Sequence, residues 1–251
     1  MIVGFGPGPG TGLYRTRRAA TSYPLLDDLI GYWNLDEASG QRNDSHTNAL
    51  HLLDNNTVGV SSGGGPDSGD AADFEADSGE NLSRTSESLL QTGNVDFAVA
   101  AWVWLESKGA EARTLLAKRD SGSGEFTIVH ETVSDRFWFY NVDEIDSVKA
   151  TSFGSPALNT WYFLVAWQDT TAGTWNISVN DGAVDSAIIS APVVDSSTFR
   201  IGGQYPGTSW WMDGRIAYVG FWKRTLTAAE RTWLYNSGSG RDYAAVAAYT
   251  G

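Results

Sequence analysis

Short runs of aromatic and β-branched residues, separated by breaks rich in Gly, Asn, Asp and Ser, recur along the chain from Leu29 onward. Such runs are typical of strands, because aromatic and β-branched side chains pack well on a pleated surface while the break residues favour turns. The pattern predicts an all-β chain with antiparallel strands stacked as a sandwich. Strands are predicted near residues 29–35, 49–53, 71–75, 81–85, 96–106, 112–118, 124–131, 136–142, 147–152, 160–169, 174–180, 183–189, 198–202 and 214–223.

Two local signals refine this prediction. Thr227 and Glu230 have the spacing of a capping box, in which each side chain binds the backbone N–H of the other residue. A short helix is predicted there, with an apolar stripe that includes Trp233 and an end at Gly238. The tripeptide at 180–182 (NDG) predicts a tight hairpin turn in which glycine supplies the positive φ.

Length and composition favour one globular domain. The chain has 251 residues, of which 41% are hydrophobic and 12% aromatic, and this is ample for a large core. β-sandwiches often reach this size as a single unit. The predicted organisation is an extended, basic, Gly/Pro-rich arm at 1–26, the sandwich at 27–240 and a C-terminal tail at 241–251.

The N-terminal arm has a composition of its own. Glycine and proline dominate residues 4–12, and a basic stretch with Tyr14, Arg15, Arg17 and Arg18 follows. A segment of this kind cannot bury a core, so we expect it to be extended. It is similar to the docking peptides of proteins that decorate virus particles. The arm is therefore predicted to anchor the chain to a larger protein assembly such as a capsid or tail, the alternative being a flexible tail.

Charge and composition exclude several classes of function. The formal net charge is −13 and residues 1–26 contain no carboxylate, so the acidity belongs to the body, which is a poor partner for nucleic acid. Cysteine is absent, which excludes disulfides and thiolate metal sites. No signal peptide or membrane span is expected, because no apolar run approaches the length that either needs. The expected location is a virion surface, or the exterior of a cell after lysis.

Three segments carry a family resemblance when they are taken in order. They are residues 29–40 (LIGYWNLDEASG), 95–104 (VDFAVAAWVW) and 212–230 (MDGRIAYVGFWKRTLTAAE). They resemble the opening, the central strand and the closing strand and helix of the laminin-G-like family, and together they extend over most of residues 29–240. The resemblance implies a concanavalin A-like antiparallel jelly roll with one short C-terminal helix.

The same resemblance implies a structural calcium ion near the opening loop. Asp36, Asp44 and Asp213 are the residues that would supply hard oxygen ligands. The family's acidic pair after the closing isoleucine is replaced here by Ala217 and Tyr218, which removes one family-type ligand. The alternative is that these acidic residues form turns and caps, as Asp commonly does in loops.

Two aromatic groups are candidates for sugar binding, because sugars stack their C–H faces on flat rings and bind amide and carboxylate groups through their hydroxyls. One is the loop at 203–213, which contains Gln204, Tyr205, Trp210 and Trp211. The two tryptophans are adjacent and should point in opposite directions if the chain is extended. The other is the strand at 136–141, where Trp138 and Tyr140 share a face.

The most suggestive catalytic motif is Glu144-Ile-Asp146, which resembles the start of the E-x-D-x-x-E strand of laminarinase-type hydrolases on the same fold. In that family the last Glu is the acid/base, whereas this chain has Lys149 at that position. We therefore predict no hydrolase activity. The three histidines have no zinc spacing, and no G-x-S-x-G nucleophile motif is present.

The sequence thus predicts a non-enzymatic recognition or adhesion module that binds a glycan or a protein surface and is anchored by its arm to an assembly such as a phage particle. The first alternative is a purely structural virion decoration protein that binds no sugar. The second is a polysaccharide-active enzyme on the same scaffold. Folds of this type carry unrelated functions, so the site must decide among them.

Overall fold

The computed structural model describes residues 24–110, 112–141, 144, 146–189, 194–204 and 209–251. These residues form two antiparallel β-sheets stacked face to face, followed by two short helices. The first sheet contains β1 (Leu29–Trp33), β3 (Gly59–Ser61), β4 (Ala71–Phe74), β6 (Phe97–Leu105), β11 (Trp161–Asp169), β12 (Thr174–Val179), β13 (Val184–Ile188) and β15 (Gly214–Trp222). The second contains β2 (Leu53–Asn55), β5 (Asn81–Arg84), β7 (Arg113–Asp120), β8 (Ser123–Glu131), β9 (Arg136–Tyr140), β10 (Ser147–Lys149) and β14 (Phe199–Ile201).

The strand order shows how the sheets are wound. The first sheet runs β13-β12-β11-β6-β15-β4-β3, with β1 also paired to β15, and the second runs β10-β9-β8-β7-β14-β5-β2. Every pairing is antiparallel, and β6 and β15, far apart in sequence, lie side by side at the centre of the first sheet. The predicted β-sandwich of the concanavalin A-like type is confirmed.

Most predicted strands are present within a few residues. The strand predicted near 49–53 lies later, at Leu53–Asn55, and β3 was not predicted. The predicted hairpin turn is present, but the positive φ angles belong to Asn180 and Asp181, as a type I′ turn requires at its two central positions. The prediction that glycine supplies them was wrong.

The C-terminal helix forms as its capping signal predicts. Helix α1 (Ala228–Tyr235) has both hydrogen bonds of the Thr227–Glu230 capping box. A second short helix, α2 (Tyr243–Ala248), follows within the predicted tail and is capped by Asp242. No helix of the described residues is long and apolar enough to cross a membrane.

The core between the sheets is built on aromatic contacts. Phe97 from β6 stacks on Phe126 of β8 at 5.4 Å and on Phe221 of β15 at 6.0 Å, and all three are fully buried. A ring of this size removes a large apolar area from water, so contacts of this kind dominate the stability of the sandwich.

The outer face of the first sheet is also apolar, and it is covered. Trp102 and Trp222 project from this face, and Leu226, Leu234 and Val246 from the helical segment pack against the same cluster. Leu25 joins this cluster, with its carbonyl accepting from Trp222 Nε1 at 2.8 Å. The packed body therefore begins by Leu25, and the helical segment covers the part of the outer face around Trp102 and Trp222.

A β-bulge in β15 changes which residues face the core. The pairing of β15 with β6 shifts between Ala217 and Gly220, where Tyr218 has a φ of 51°. Simple alternation along the strand would place Ile216 on the same face as Tyr218 and Trp222. In the structure Ile216 lies in the inter-sheet core, because the bulge inserts a residue and inverts the alternation.

Candidate functional site

The outer face of the second sheet carries an aromatic platform. Trp138 and Tyr140 project from β9 on this face, and their rings stack with centroids 4.2 Å apart and planes at 28°. Their cross-strand neighbours on β8 are Val129 and Thr127, which share the same face. Trp138 is half-buried and Tyr140 is fully buried. The prediction that the two rings share a face is correct.

A third ring joins the platform from a distant part of the chain. Trp210 lies in the loop between β14 and β15 and packs against the cluster of Ala112, Val129 and Tyr140. Its carbonyl accepts a hydrogen bond from the N–H of Thr114 at 2.8 Å. Its φ is 69°, a left-handed conformation that is costly for a bulky residue. This backbone directs the Trp210 ring onto the open face.

A groove of about 330 Å³ lies between these rings, and we call it the first groove. It is bordered by Trp138 and Trp210, by Glu131 and Val133 at the turn after β8, and by Glu144 from the loop after β9. Val133 is 97% exposed. The groove volume is at the lower end of the range for small-molecule sites, which combine apolar walls with a few polar groups in this way.

The charges of the first groove are fixed by neighbours. Burial alone would raise the pKa of Glu131, but hydrogen bonds from the Ser134 hydroxyl and N–H, from Lys149 and from the Val133 N–H lower it to about 2. Lys149 Nζ lies 3.1 Å from Glu131 Oε2 and 4.8 Å from the centre of the Trp138 ring. Glu131 is therefore ionised at neutral pH, and Lys149 is bound to it.

A second groove of about 300 Å³ adjoins the first. Its lining includes Asp77, Gly109, Arg113 and Trp211, and the two grooves share Ala110, Ala112 and Trp210. Three of the Arg113 nitrogens are bound by protein oxygens. Nε and Nη2 donate to Ser107, Nη1 donates to the Trp211 carbonyl at 3.1 Å, and Nη2 lies 3.7 Å from the Asp213 carboxylate.

Several buried polar atoms of the open face lack a hydrogen bond to the other described residues. The Nε1 of Trp138 and the Oγ1 of Thr114 are buried without a hydrogen bond to any of them. Buried polar groups are nearly always paired, and an unpaired one costs roughly 1–3 kcal/mol. Groups of this kind next to an aromatic groove are suited to a polar ligand or to ordered water.

The predicted loop residues are separated by the structure. Gln204 is buried, with its Oε1 unpaired by the described residues, and is not part of either groove. Trp211 packs over Gly79 and Gly203 and borders the second groove. Tyr205 lies outside the described residues, as do the four predicted anchoring residues, Tyr14, Arg15, Arg17 and Arg18.

The predicted calcium ligands do not form one site. Asp44 is buried and accepts hydrogen bonds from the N–H groups of Tyr32, His46 and Leu50, whereas Asp36 is exposed. Asp213 accepts from Ser107 and pairs with Arg113. Within the described ranges no group of three His, Cys, Asp or Glu side chains is arranged to hold a metal ion. These donors do not fit a shared calcium ion, and calcium stays a prediction of the resemblance alone.

Glu144, the first residue of the catalytic motif considered from the sequence, lies at the first groove beside the Glu131–Lys149 ion pair. Glu144 borders the groove, while Lys149 binds Glu131 beside the Trp138 ring. A retaining or inverting hydrolase needs one carboxylic acid that is protonated at the working pH. Glu131, with its lowered pKa, is unsuited to that role.

Two stacked antiparallel sheets, one face covered by helices and the other open with aromatic grooves, define a lectin-like β-sandwich. The chain belongs to the concanavalin A-like lectin/glucanases superfamily, whose laminin-G-type profile matches residues 76–230. That match includes two of the three segments noted in the sequence; the opening segment at 29–40 lies outside it. No curated protein matches the chain significantly in sequence.

Solved structures share the fold at low sequence identity. The binding domain of Paraclostridial Mosquitocidal Protein 1 matches with a TM-score of 0.67 and 13% identity, over 85% of this chain and 53% of that one. A second match is domain 4 of AbnA, a GH43 extracellular arabinanase from Geobacillus stearothermophilus that was solved in complex with arabinotriose. It has a TM-score of 0.62 and 16% identity, and the match covers 82% of this chain and 97% of that domain. Trypanosoma rangeli sialidase matches with a TM-score of 0.62 and 15% identity, over 86% of this chain and 34% of the sialidase. The chain thus spans about half of the first structure and a third of the sialidase.

Proposed function

We propose that this chain is a non-enzymatic recognition module that binds a glycan on the outer face of its second sheet. The observation that carries the proposal is the half-buried ring of Trp138, which is backed by the buried Tyr140 and faced by Trp210 across an open groove. Aromatic rings beside carboxylates and unpaired polar atoms offer both halves of sugar recognition, a flat apolar surface and hydrogen-bonding partners.

Similar folds support this proposal. One neighbour is a domain solved with arabinotriose, and another is the binding domain of a toxin. A sialidase also contains this fold, but the matched part is about a third of its chain. Lys149 stands where the laminarinase-type motif has its acid, and this supports binding over hydrolysis. Release of reducing ends from a bound glycan, abolished by Glu144→Gln, would instead favour the enzyme.

Replacing Trp138 with alanine is expected to weaken glycan binding at least tenfold, equivalent to about 1.4 kcal/mol, because it removes the floor of the first groove. The measurement is titration calorimetry with the best ligand from a glycan array, starting with arabinotriose. Trp104→Ala is the matched control. Trp104 is also half-buried, lies on the opposite sheet and has an arginine, Arg215, 5.3 Å from its ring centre.

Two results would contradict the proposal. If Trp104→Ala weakens binding as much as Trp138→Ala, the open face is not the site. If no glycan binds while the chain still attaches to an assembly, the purely structural decoration protein is the better account.

We also propose that residues 1–26 anchor the module to a larger protein assembly such as a phage capsid or tail. Support comes from the sequence, since a Gly/Pro-rich segment can dock in extended form while Arg15, Arg17 and Arg18 meet carboxylates of the partner. The module would then act at a particle surface.

Deleting residues 2–22 is expected to abolish co-sedimentation with the assembly and to leave the melting temperature unchanged. The deletion ends before Pro24, whose carbonyl accepts from Arg224. Replacing the three arginines with alanine should weaken attachment partially and make it less sensitive to salt, because screened ion pairs contribute only part of the binding. Wild-type occupancy after the deletion would show that the anchoring surface lies on the sandwich.

A further inference from the structure

The two grooves on the open face meet at Trp210. Trp210, Ala110 and Ala112 border both, so a ligand that fills the first groove and continues past Trp210 enters the second. Aromatic rings lie at both ends and in the middle, with Trp138 in the first groove, Trp210 at the junction and Trp211 in the second. This arrangement suits a chain of several sugar units better than a single one.

Carboxylates outnumber cations along this path among the described residues. Among the described residues that line the two grooves, the carboxylates are Glu131, Glu144 and Asp77, and the cation is Arg113. Arg113 is already bound to the side chain and carbonyl of Ser107 and to the carbonyl of Trp211, and it lies beside Asp213. Lys149, at the edge of the first groove, is bound to Glu131. Both cations are therefore already engaged by protein oxygens, and a neighbouring carboxylate offsets the charge of each.

An acidic sugar would therefore meet an excess of negative charge. Placing its carboxylate here would remove part of its hydration and add like-charge repulsion, which is how a site discriminates against a competitor. The hydroxyls of a neutral sugar, in contrast, can donate hydrogen bonds to the exposed carboxylates of Glu144 and Asp77, since an ionised carboxylate only accepts.

We propose that the ligand is an uncharged glycan chain that spans both grooves past Trp210, and that the site rejects sialylated and uronate-containing glycans. This inference rests on the proposed glycan-binding function and specifies its substrate class.

The test uses the full 251-residue chain on an array of neutral, sialylated and uronate-containing glycans. The neutral glycan that binds best is then compared in solution with the same glycan carrying one added sialic acid. We expect the sialylated form to bind at least about tenfold more weakly. In a length series of the neutral glycan, affinity is expected to rise beyond the disaccharide and then to level off once both grooves are filled.

A charge-reversal pair ties the selectivity to the groove. Glu144→Lys should reduce the difference in affinity between the neutral and sialylated glycans, because it replaces an exposed negative charge at the first groove with a positive one. Asp27→Lys makes the same change in net charge at an exposed position just before β1 of the other sheet, and it should leave this difference in affinity unchanged. Circular dichroism confirms that both variants are folded.

The outcomes separate this inference from the proposed function. Equal or tighter binding of the sialylated form, or full affinity for a disaccharide, overturns the inference while leaving glycan binding in place. The inference is also overturned if Glu144→Lys leaves the difference in affinity between the neutral and sialylated glycans unchanged. Absence of binding to any glycan on the array refutes the proposed function, and the inference with it.

Discussion

Glu125→Ala is expected to destabilise the fold by roughly 3 kcal/mol, because it removes the nearer of the two carboxylates that face the buried Lys118 and leaves only Asp195, 3.9 Å from Lys118 Nζ. Lys118 Nζ lies 3.3 Å from Glu125 Oε1, and the two side chains are 1% and 0% exposed. Glu125 also accepts hydrogen bonds from the Thr92 hydroxyl at 2.7 Å and the Asp195 N–H at 3.0 Å. Alanine would leave these donors unpaired as well.

Denaturant unfolding monitored by tryptophan fluorescence measures this effect. The double variant Lys118→Met/Glu125→Leu should recover much of the lost stability, since it removes both charges and keeps similar volumes. Arg84→Ala, which breaks a partly exposed ion pair with Glu87, should cost at most about 1 kcal/mol. A loss of that small size in Glu125→Ala would show that water reaches Lys118.

This network could not be predicted from sequence. Lys118 lies in β7 and Glu125 in β8, where charged residues ordinarily indicate the solvent side of a strand. Their burial follows from residues 194–198, which pass over the sheet and offer the carbonyls of Asp195 and Ser197 to the ammonium group. A contact between positions nearly eighty residues apart is set by topology, which local pattern does not encode.

Strands were predictable wherever aromatic and β-branched residues form a long run. Strand β11 (Trp161–Asp169) is buried along most of its length and was predicted nearly to the residue. Strand β3 (Gly59–Ser61) has one apolar side chain, and all three of its residues are half-buried, so the pattern gives no signal there. The β15 bulge was missed for a different reason, because an inserted residue changes the facing of a strand without changing its composition.

The candidate site was predictable only where its parts are close in sequence. Trp138 and Tyr140 are two residues apart on one strand, so the period of a strand places them together. Trp210 was named as a candidate, but its contact with that pair depends on the path of the loop after β14. Glu131 and Val133 were not named, since an acidic and an apolar residue in a turn carry no signal until the fold places them beside Trp138.

Gly214→Ala is the second substitution with a large expected effect. Gly214 has a φ of 130°, and a Cβ at this position would lie 2.1 Å from the carbonyl oxygen of Trp104 on the neighbouring strand. Left-handed strain and a clash with rigid backbone each cost about 1–3 kcal/mol, so we expect a loss of roughly 3 kcal/mol or more. Gly40→Ala is the matched control. Gly40 also has a positive φ, 75°, but apart from its chain neighbours no described atom lies within 4 Å of where the alanine methyl group would be.

The Gly214→Ala substitution should also affect the grooves, because Gly214 follows Asp213 at the point where the loop carrying Trp210 and Trp211 enters β15. The Asp213 carbonyl accepts from the Glu106 N–H at 2.9 Å, and its carboxylate holds Arg113 beside the second groove. A backbone shift that relieves the clash at Gly214 would move these anchors. We therefore expect the folded fraction of Gly214→Ala to bind glycan more weakly than the folded fraction of Gly40→Ala. Equal stability of the two variants would show that the close approach to Trp104 is absent in solution.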